Sequence, residues 1–322
     1  MNVVRFDESI PFESTSVVTV GTFDGVHCGH RGIIQRMRAE ADRRQGRVVV
    51  VTFDPHPQIV LAKPDREPLR LLTSIEDRCA LLAGEGVDLV VVIPFDKTFA
   101  ARSAEDFVRD LHTRIGIASI FIGHDHHFGK DRRGNVDLLR VLGSELHFDV
   151  QTVEPLACDD VVVSSTKIRR SLADGDLVSA EAMLGRPYSV TGTVVHGDKR
   201  GRELGIPTAN IRPLESSILL PANGIYVAES VIDGTAVHGM ASIGLRPMFT
   251  NDVEPTLEVH YLDFSGDLYD RQLTVTFRAR IRAEEHYPDI ATLLAQIDND
   301  RVVTRQFFDA HGTLTTNNNS IT

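Results

Sequence analysis

The 322-residue chain is long enough for more than one hydrophobic core, and two domains are the natural expectation. Its 34 Lys plus Arg against 45 Asp plus Glu leave a formal net charge of −11, which argues against nonspecific adhesion to nucleic acid or an acidic membrane, although local basic loops stay possible. The three scattered cysteines, Cys28, Cys79 and Cys158, argue against a disulfide framework; with no basic-then-apolar leader and no span-length apolar run, a soluble cytoplasmic protein is expected.

Residues 17–30 read VVTVGTFDGVHCGH: a β-branched run, a glycine-containing turn, then helical spacing that continues to Gln45. His27 and His30 stand three apart in what should be the first helical turn, so both imidazoles can project beside the free N–H groups of the helix end. Gly21, Gly25 and Gly29 let the backbone approach a ligand closely, and the helix dipole favours the phosphates of a nucleotide. The stretch is neither GxxxxGK[ST] nor GxGxxG, which removes the usual support for P-loop and dinucleotide readings. A metal site and a plain structural turn are the alternatives; Cys28 lies between the histidines, but no CxxC partner exists.

Residues 47–53 (RVVVVTF) are continuously β-branched rather than alternating, which predicts a fully buried strand. In the following Asp54-Pro55-His56-Pro57, two prolines should pin an extended loop, with His56 either at the ligand-facing end of the strand or exposed on a rigid turn. Thr73-Ser74 caps a helix through Leu82, residues 89–93 form another buried strand, and SAED at 103–106 opens a helix to Ile115. With a short strand at 119–122, this alternation predicts a doubly wound parallel sheet with right-handed crossovers. Residues 123–135 (GHDHHFGKDRRGN) admit a metal reading through His124, His126 and His127, a substrate lip with Lys130, Arg132 and Arg133 facing anions, or a solvated loop. After a strand at 147–153, Ser164, Ser165 and Thr166 open a final helix with Arg169 and Arg170 behind them, a second anion site of the same physical kind. Two helix ends aimed at one crevice suggest a triphosphate held between them.

Around Gly185-Arg186-Pro187 the pattern changes. YSVTGTVVH, GIYVAESVI with an Asp233-Gly234 hairpin turn, TAVHGMASI, LEVHYLDF and LTVTFRARI alternate as antiparallel strands of a barrel or sandwich. A helix follows at about 288–311 and the end reads as a disordered tail, giving domains 1–185 and 186–312 with a tail at 313–322. Residues 197–205 (GDKRGRELG) are basic and glycine-rich, and Pro207-Thr208-Ala209-Asn210 follows. Thr208 and Asn210 offer neutral oxygens two apart, suited to a Mg²⁺ already carrying phosphate oxygens and water; the plain alternative is a hairpin tip with solvated charges. Glu258 is, on periodicity, an outward salt-bridge partner, or else a general base for a hydroxyl nucleophile.

Taken in order, GTFDGVHCGH, TFDPHP, the GHDHHFG loop, SSTKIR, HGDKRGRELGIPTANI, NGIYV, GMASIGLRP and EVHYLDFSGDLY resemble the bacterial bifunctional riboflavin kinase/FAD synthetases, from about residue 17 to 309. The resemblance implies a Rossmann-like nucleotidyltransferase domain followed by a riboflavin kinase-like β-barrel with a terminal helix. It implies phosphorylation of riboflavin to FMN by ATP and Mg²⁺, then adenylylation of FMN by ATP to FAD and pyrophosphate. It puts His27 and His30, with Gly21, Phe23 and Gly25, on the ATP phosphates, Asp125 beside FMN or nucleotide, and Ser164, Ser165, Thr166 and Arg169 on the triphosphate. In the barrel it puts Gly197, Lys199, Gly201, Arg202, Gly205 and Pro207 around the ATP phosphates, Arg246 on the flavin, Thr208 and Asn210 on Mg²⁺, and Glu258 as acceptor of the riboflavin hydroxyl proton. Ser242, Met248 and Asp270 stand where the family usually has asparagine, threonine and glycine, near the flavin side of the kinase by motif order, and His126 replaces a frequent phenylalanine. An FMN adenylyltransferase with a merely regulatory flavin-binding barrel is the alternative. A nucleic-acid-binding barrel, motivated by Lys199, Arg200 and Arg202, is opposed by the net charge of −11 and the lack of stacking aromatics in that loop.

Overall fold

The valine run of β3 (Val48–Asp54) has no polar side because both of its faces are covered. Val48 and Val50 pack with Ile34, Met37 and Ala41 of α1 (Cys28–Arg44) and Leu82 of α3 (Ile75–Gly84). Val49 and Val51 pack with Phe107, Val108 and Leu111 of α5 (Ala104–Ile115) and Leu139 and Leu142 of α6 (Val136–Leu146). Each such side chain contributes roughly 1.5–3 kcal/mol on burial, which makes this strand a central support of the first unit.

The computed structural model describes the chain except residues 66, 124–126, 155–156, 159–160, 198–204, 246–254 and 314–322; His124, Asp125, His126, Lys199, Arg200, Gly201, Arg202, Arg246, Met248 and all of the expected tail but Thr313 thus lie outside the described residues. Two compact units divide between Ser165 and Thr166. In the first, β1 (Asn2–Arg5), β2 (Ser16–Val20), β3, β4 (Leu89–Pro94), β5 (Ile117–Gly123) and β6 (Asp149–Val153) form one six-stranded sheet in the order β1-β4-β3-β2-β5-β6. Every pairing in it is parallel. Short helices α2 (Pro57–Val60) and α4 (Lys97–Ala100) and a small hairpin of β7 (Ala157–Cys158) and β8 (Val161–Val162) complete it.

The second unit carries α7 (Ser165–Ala173, whose first residue belongs to the first unit), α8 (Leu177–Leu184) and a closed antiparallel barrel. The barrel strands are β9 (Ser189–Val195), β10 (Ala209–Pro213), β11 (Gly224–Ile232), β12 (Thr235–Leu245), β13 (Pro255–Tyr261) and β14 (Gln272–Arg282), in the order β10-β13-β12-β11-β14-β9 with β9 pairing back to β10. Closure leaves no open edge. The terminal helix α9 (Ile290–His311) is held by Asp300, 2 % exposed, whose carboxylate accepts Nε (3.1 Å) and Nη2 (2.7 Å) of Arg282.

Several local expectations change. Pro57 does not continue an extended loop: it occupies the first turn of α2, where its fixed φ suits a helix start. His56 is therefore no exposed turn residue; it is 5 % exposed and caps α2, its Nδ1 accepting the Gln58 N–H at 3.1 Å. The strand expected at 147–153 starts at Asp149, because His147 takes a left-handed φ of 64° as the C-cap of α6. Helix α6 was hidden behind a charged loop, yet Asn135 caps it through the Leu138 N–H (2.9 Å) and its apolar residues recur at helical spacing. Helices α7 and α8 are separate elements, and β1 is an edge strand with too little burial to leave a pattern.

Candidate active sites

In the parallel sheet, β2 lies between β3 on one side and β5 on the other, so the strand order reverses there. The loop leaving β2 consequently occupies the topological switch point, the place where an open α/β sheet receives its ligand. Gly21 ends the strand, its N–H bonded to Val51 O at 3.0 Å. Phe23 (φ 50°), Gly25 (φ 83°) and Val26 (φ 37°) then enter the left-handed region. For the phenylalanine and the β-branched valine this costs roughly 1–3 kcal/mol each and requires the surroundings to enforce it.

Asp24 supplies that enforcement. It is fully buried, and its carboxylate accepts the N–H of Leu72 (3.0 Å), the N–H of Thr73 (3.0 Å) and the Thr73 hydroxyl (3.2 Å). The Gly25 N–H donates to the same Thr73 hydroxyl at 3.1 Å, and Thr52 Oγ1 donates to Thr22 O at 3.1 Å. The Ser165 hydroxyl donates to Asp24 O at 3.0 Å, tying the first residue of α7 to this loop. Ser164 directly precedes that helix, while Thr166 and Arg169 lie on its first turns, in the second unit.

His27 is the N-cap of α1, its Nδ1 accepting the His30 N–H at 3.4 Å, which assigns the proton of a neutral His27 to Nε2. The His27 and His30 rings stack with centroids 3.7 Å apart at 12°, and Phe23 lies 4.8 Å from His30. Burial first, then His27 and Arg78, hold the His30 imidazole well below the usual histidine range. It is neutral at pH 7 and offers hydrogen bonding rather than charge. Sequence reasoning missed Asp24, Thr73 and Arg78. Arg78 left a signal, since Ile75, Arg78, Cys79 and Leu82 share one helical stripe and the last three are buried.

In the barrel, Leu257, Val259 and Tyr261 of β13 are buried in its interior, and Glu258 and His260 alternate onto the outer face. There Asn210, Glu258 and Ser242 are cross-strand neighbours on β10, β13 and β12. Glu258 Oε2 accepts the Thr208 hydroxyl at 3.0 Å. A Cβ on Gly197 would lie 2.4 Å from Asn210 Nδ2, so the basic loop begins hard against that amide, and Gly205 (φ 74°) closes it in a left-handed turn. Pro207 is fixed by its carbonyl: Arg301 Nη2 can only donate to His260 Nε2 (3.2 Å), so His260 Nδ1 carries the proton and donates to Pro207 O (2.8 Å). The His196 and Tyr269 rings lie with centroids 3.9 Å apart, tilted at 36°, beside Gly197. Asp270 has a left-handed φ of 60°, which aspartate tolerates better than most residues.

Among the described residues no group of three or more His, Cys, Asp or Glu side chains is placed to hold a metal ion. Thr208 and Asn210 fit a different demand, that of a hard cation arriving with phosphate oxygens and needing few, neutral protein donors. The first site offers a helix N-terminus, a constrained loop and imidazoles for anionic oxygens; the second offers a carboxylate touching a hydroxyl beside an amide oxygen.

A family model described as FAD synthetase matches residues 9–167, and one described as riboflavin kinase matches 184–308. A bifunctional riboflavin kinase/FMN adenylyltransferase of Pseudomonas fluorescens is 39% identical over 90% of this chain and 92% of its own. That of Escherichia coli strain K12 is 39% identical over 91% and 92%, and that of Bacillus subtilis strain 168 is 32% identical over 92% and 93%. The crystal structure of a macrolide-efflux protein from Streptococcus pneumoniae superposes with a TM-score of 0.84 at 30% identity, covering 94% of this chain and 98% of that one. With both models matched in order and these identities sustained along nearly the whole length, the chain belongs to the bifunctional riboflavin kinase/FMN adenylyltransferase family.

Proposed function

We propose that the two chemistries are divided between the two sites: residues 1–185 transfer AMP to FMN and residues 186–312 phosphorylate riboflavin. The chain is a riboflavin kinase and FMN adenylyltransferase, acting on riboflavin, FMN and ATP. The observation that most supports the assignment of residues is the contrast between the sites. A ribityl hydroxyl is a poor nucleophile and wants a carboxylate acceptor, and Glu258 is a carboxylate already bonded to a hydroxyl. An FMN phosphate is already an anionic nucleophile, so its adenylylation needs alignment and donors for the charge on the α-phosphate and leaving pyrophosphate.

In the kinase, Glu258 takes the proton of the riboflavin hydroxyl as it attacks the γ-phosphate of ATP, and the 197–205 loop, with Lys199, Gly201, Arg202 and Gly205, covers the phosphates together with Pro207. Thr208 and Asn210 would hold Mg²⁺, which supplies charge neutralisation at the phosphates when bound. Arg246 contacts the flavin. In the adenylyltransferase, His27 and His30 with the loop of Gly21, Phe23 and Gly25 bind the ATP phosphates, Ser164, Ser165, Thr166 and Arg169 grip the triphosphate, and Asp125 lies beside FMN. Enzymes that spend ATP in this way need a divalent metal. No helix among the described residues is long and apolar enough to cross a membrane, which suits work in the cytoplasm.

Purified protein supplied with riboflavin, ATP and Mg²⁺ should yield FMN and then FAD on chromatography. Absence of both flavin products with every divalent metal tried contradicts the reading. FAD from supplied FMN without any FMN from riboflavin would leave the barrel a binding module only.

A further inference from the structure

Arg78 is 1 % exposed, on the buried stripe of α3. Its Nη1 donates to Thr52 Oγ1 (3.3 Å) and Phe53 O (3.2 Å), and its Nη2 reaches Thr73 O at 3.5 Å. Among the described residues no carboxylate pairs with this guanidinium, and its Nε has no hydrogen-bond partner. A buried cation without a counter-ion is costly, and neutral oxygens offset only part of that cost.

Two of the three oxygens it reaches, those of Thr52 and Thr73, belong to residues that hold the nucleotide loop. Thr52 passes its own proton to Thr22 O, while Thr73 binds the Asp24 carboxylate and accepts the Gly25 N–H. The guanidinium is thus one residue removed from Thr22, Asp24 and Gly25, beneath a loop that bends through three left-handed residues before reaching His27. Its charge is also felt at His30, where it acts in the same direction as burial. No acid touches this charge directly: the buried Asp24 carboxylate lies one residue away across Thr73, its oxygens taken by the N–H groups of Leu72 and Thr73 and the Thr73 hydroxyl, so the guanidinium gains when an anion settles over the loop.

We propose that Arg78 is a positioning residue for adenylyl transfer: it braces the loop of residues 22–25 from below and provides, without touching the ligand, the countercharge for a nucleoside triphosphate bound above. The inference rests on the reading of the His27–His30 loop as the ATP-phosphate site of the adenylyltransferase.

The test uses the full chain with Arg78→Met and Arg78→Lys. FAD formation from supplied FMN is measured against ATP concentration, with riboflavin phosphorylation in the same preparation as the check on folding. Arg78→Met should raise KM for ATP in adenylyl transfer by about tenfold or more with a smaller change in kcat, and Arg78→Lys, which keeps the charge, should recover most of that loss. Riboflavin phosphorylation should stay within about twofold in both variants. By NMR the His30 imidazole should titrate at higher pH in Arg78→Met than in the wild type or Arg78→Lys. An unchanged KM for ATP in Arg78→Met, or equal losses in the methionine and lysine variants, overturns the proposal. If the methionine variant does not fold, Arg78→Gln replaces it and the same comparison with lysine decides. Retained FAD formation in His30→Ala would overturn the site assignment itself; its loss there, with Arg78→Met indifferent, overturns only the role of Arg78.

Discussion

Replacing Asp24 by alanine probes how the nucleotide loop is kept in its strained path. The carboxylate accepts the backbone N–H groups of Leu72 and Thr73, residues that are 1 % and 6 % exposed, and water cannot readily take its place. Two buried N–H groups left without acceptors cost roughly 1–3 kcal/mol each, so Asp24→Ala should destabilise the first unit by about 2–6 kcal/mol, a large part of the ~5–15 kcal/mol of a typical domain. Asp24→Asn is milder. Oδ1 carries the contacts to Leu72 N, Thr73 N and Thr73 Oγ1, and an amide carbonyl at that position keeps all three; what is lost is charge assistance and the Leu72 N–H contact to Oδ2 (3.1 Å), about 1–2 kcal/mol. Urea unfolding with hydrogen exchange of the β2 and β3 amides isolates this unit from the barrel. FAD formation should fall more steeply than stability in the asparagine variant, because the loop binds ATP phosphates. An alanine variant within about 0.5 kcal/mol of wild type would refute the claim that Asp24 holds the loop.

Two further outcomes follow from the geometry. Gly197→Ala places a Cβ 2.4 Å from Asn210 Nδ2, displacing a proposed metal ligand; FMN formation should drop at least about tenfold with FAD formation from FMN unchanged, as initial rates will show. His30, His112, His238 and His260 all have pKa values lowered chiefly by burial, so the unfolded chain binds protons more readily than the folded one below about pH 6.5. The stability they confer is present above that pH and lost as it falls, so Tm should decline between about pH 7.5 and 5.5, and His30→Gln should flatten the decline.

The sequence showed the parallel sheet through its strands more clearly than through its helices. A run such as VVVV at 48–51 has one physical solution, burial on both faces, whereas α6 follows a charged loop that masks its start. The barrel was legible through strands such as β9 and β13, which alternate between an apolar interior and a polar exterior, whereas β11 is buried along most of its length. That same alternation left Glu258 ambiguous: it points outward, as a surface ion-pair partner would, and only its bond to Thr208 and its place beside Asn210 set it apart. The left-handed φ of Phe23 and Val26 could not be foreseen, since neither residue type favours it and the cause, Asp24 reaching to Leu72 and Thr73, spans 48 positions of sequence. His260 is a similar case, its tautomer set by an arginine 41 residues away.

Independence of two ATP-using sites on one chain is the central claim, and it is tested most directly by measuring both reactions in Glu258→Ala and His30→Ala. Glu258→Ala should lose FMN formation by about 10²–10⁴-fold, the range of a removed general base, and still convert supplied FMN to FAD. His30→Ala should still make FMN from riboflavin and fail to make FAD. Parallel loss of both activities in either variant would contradict the account.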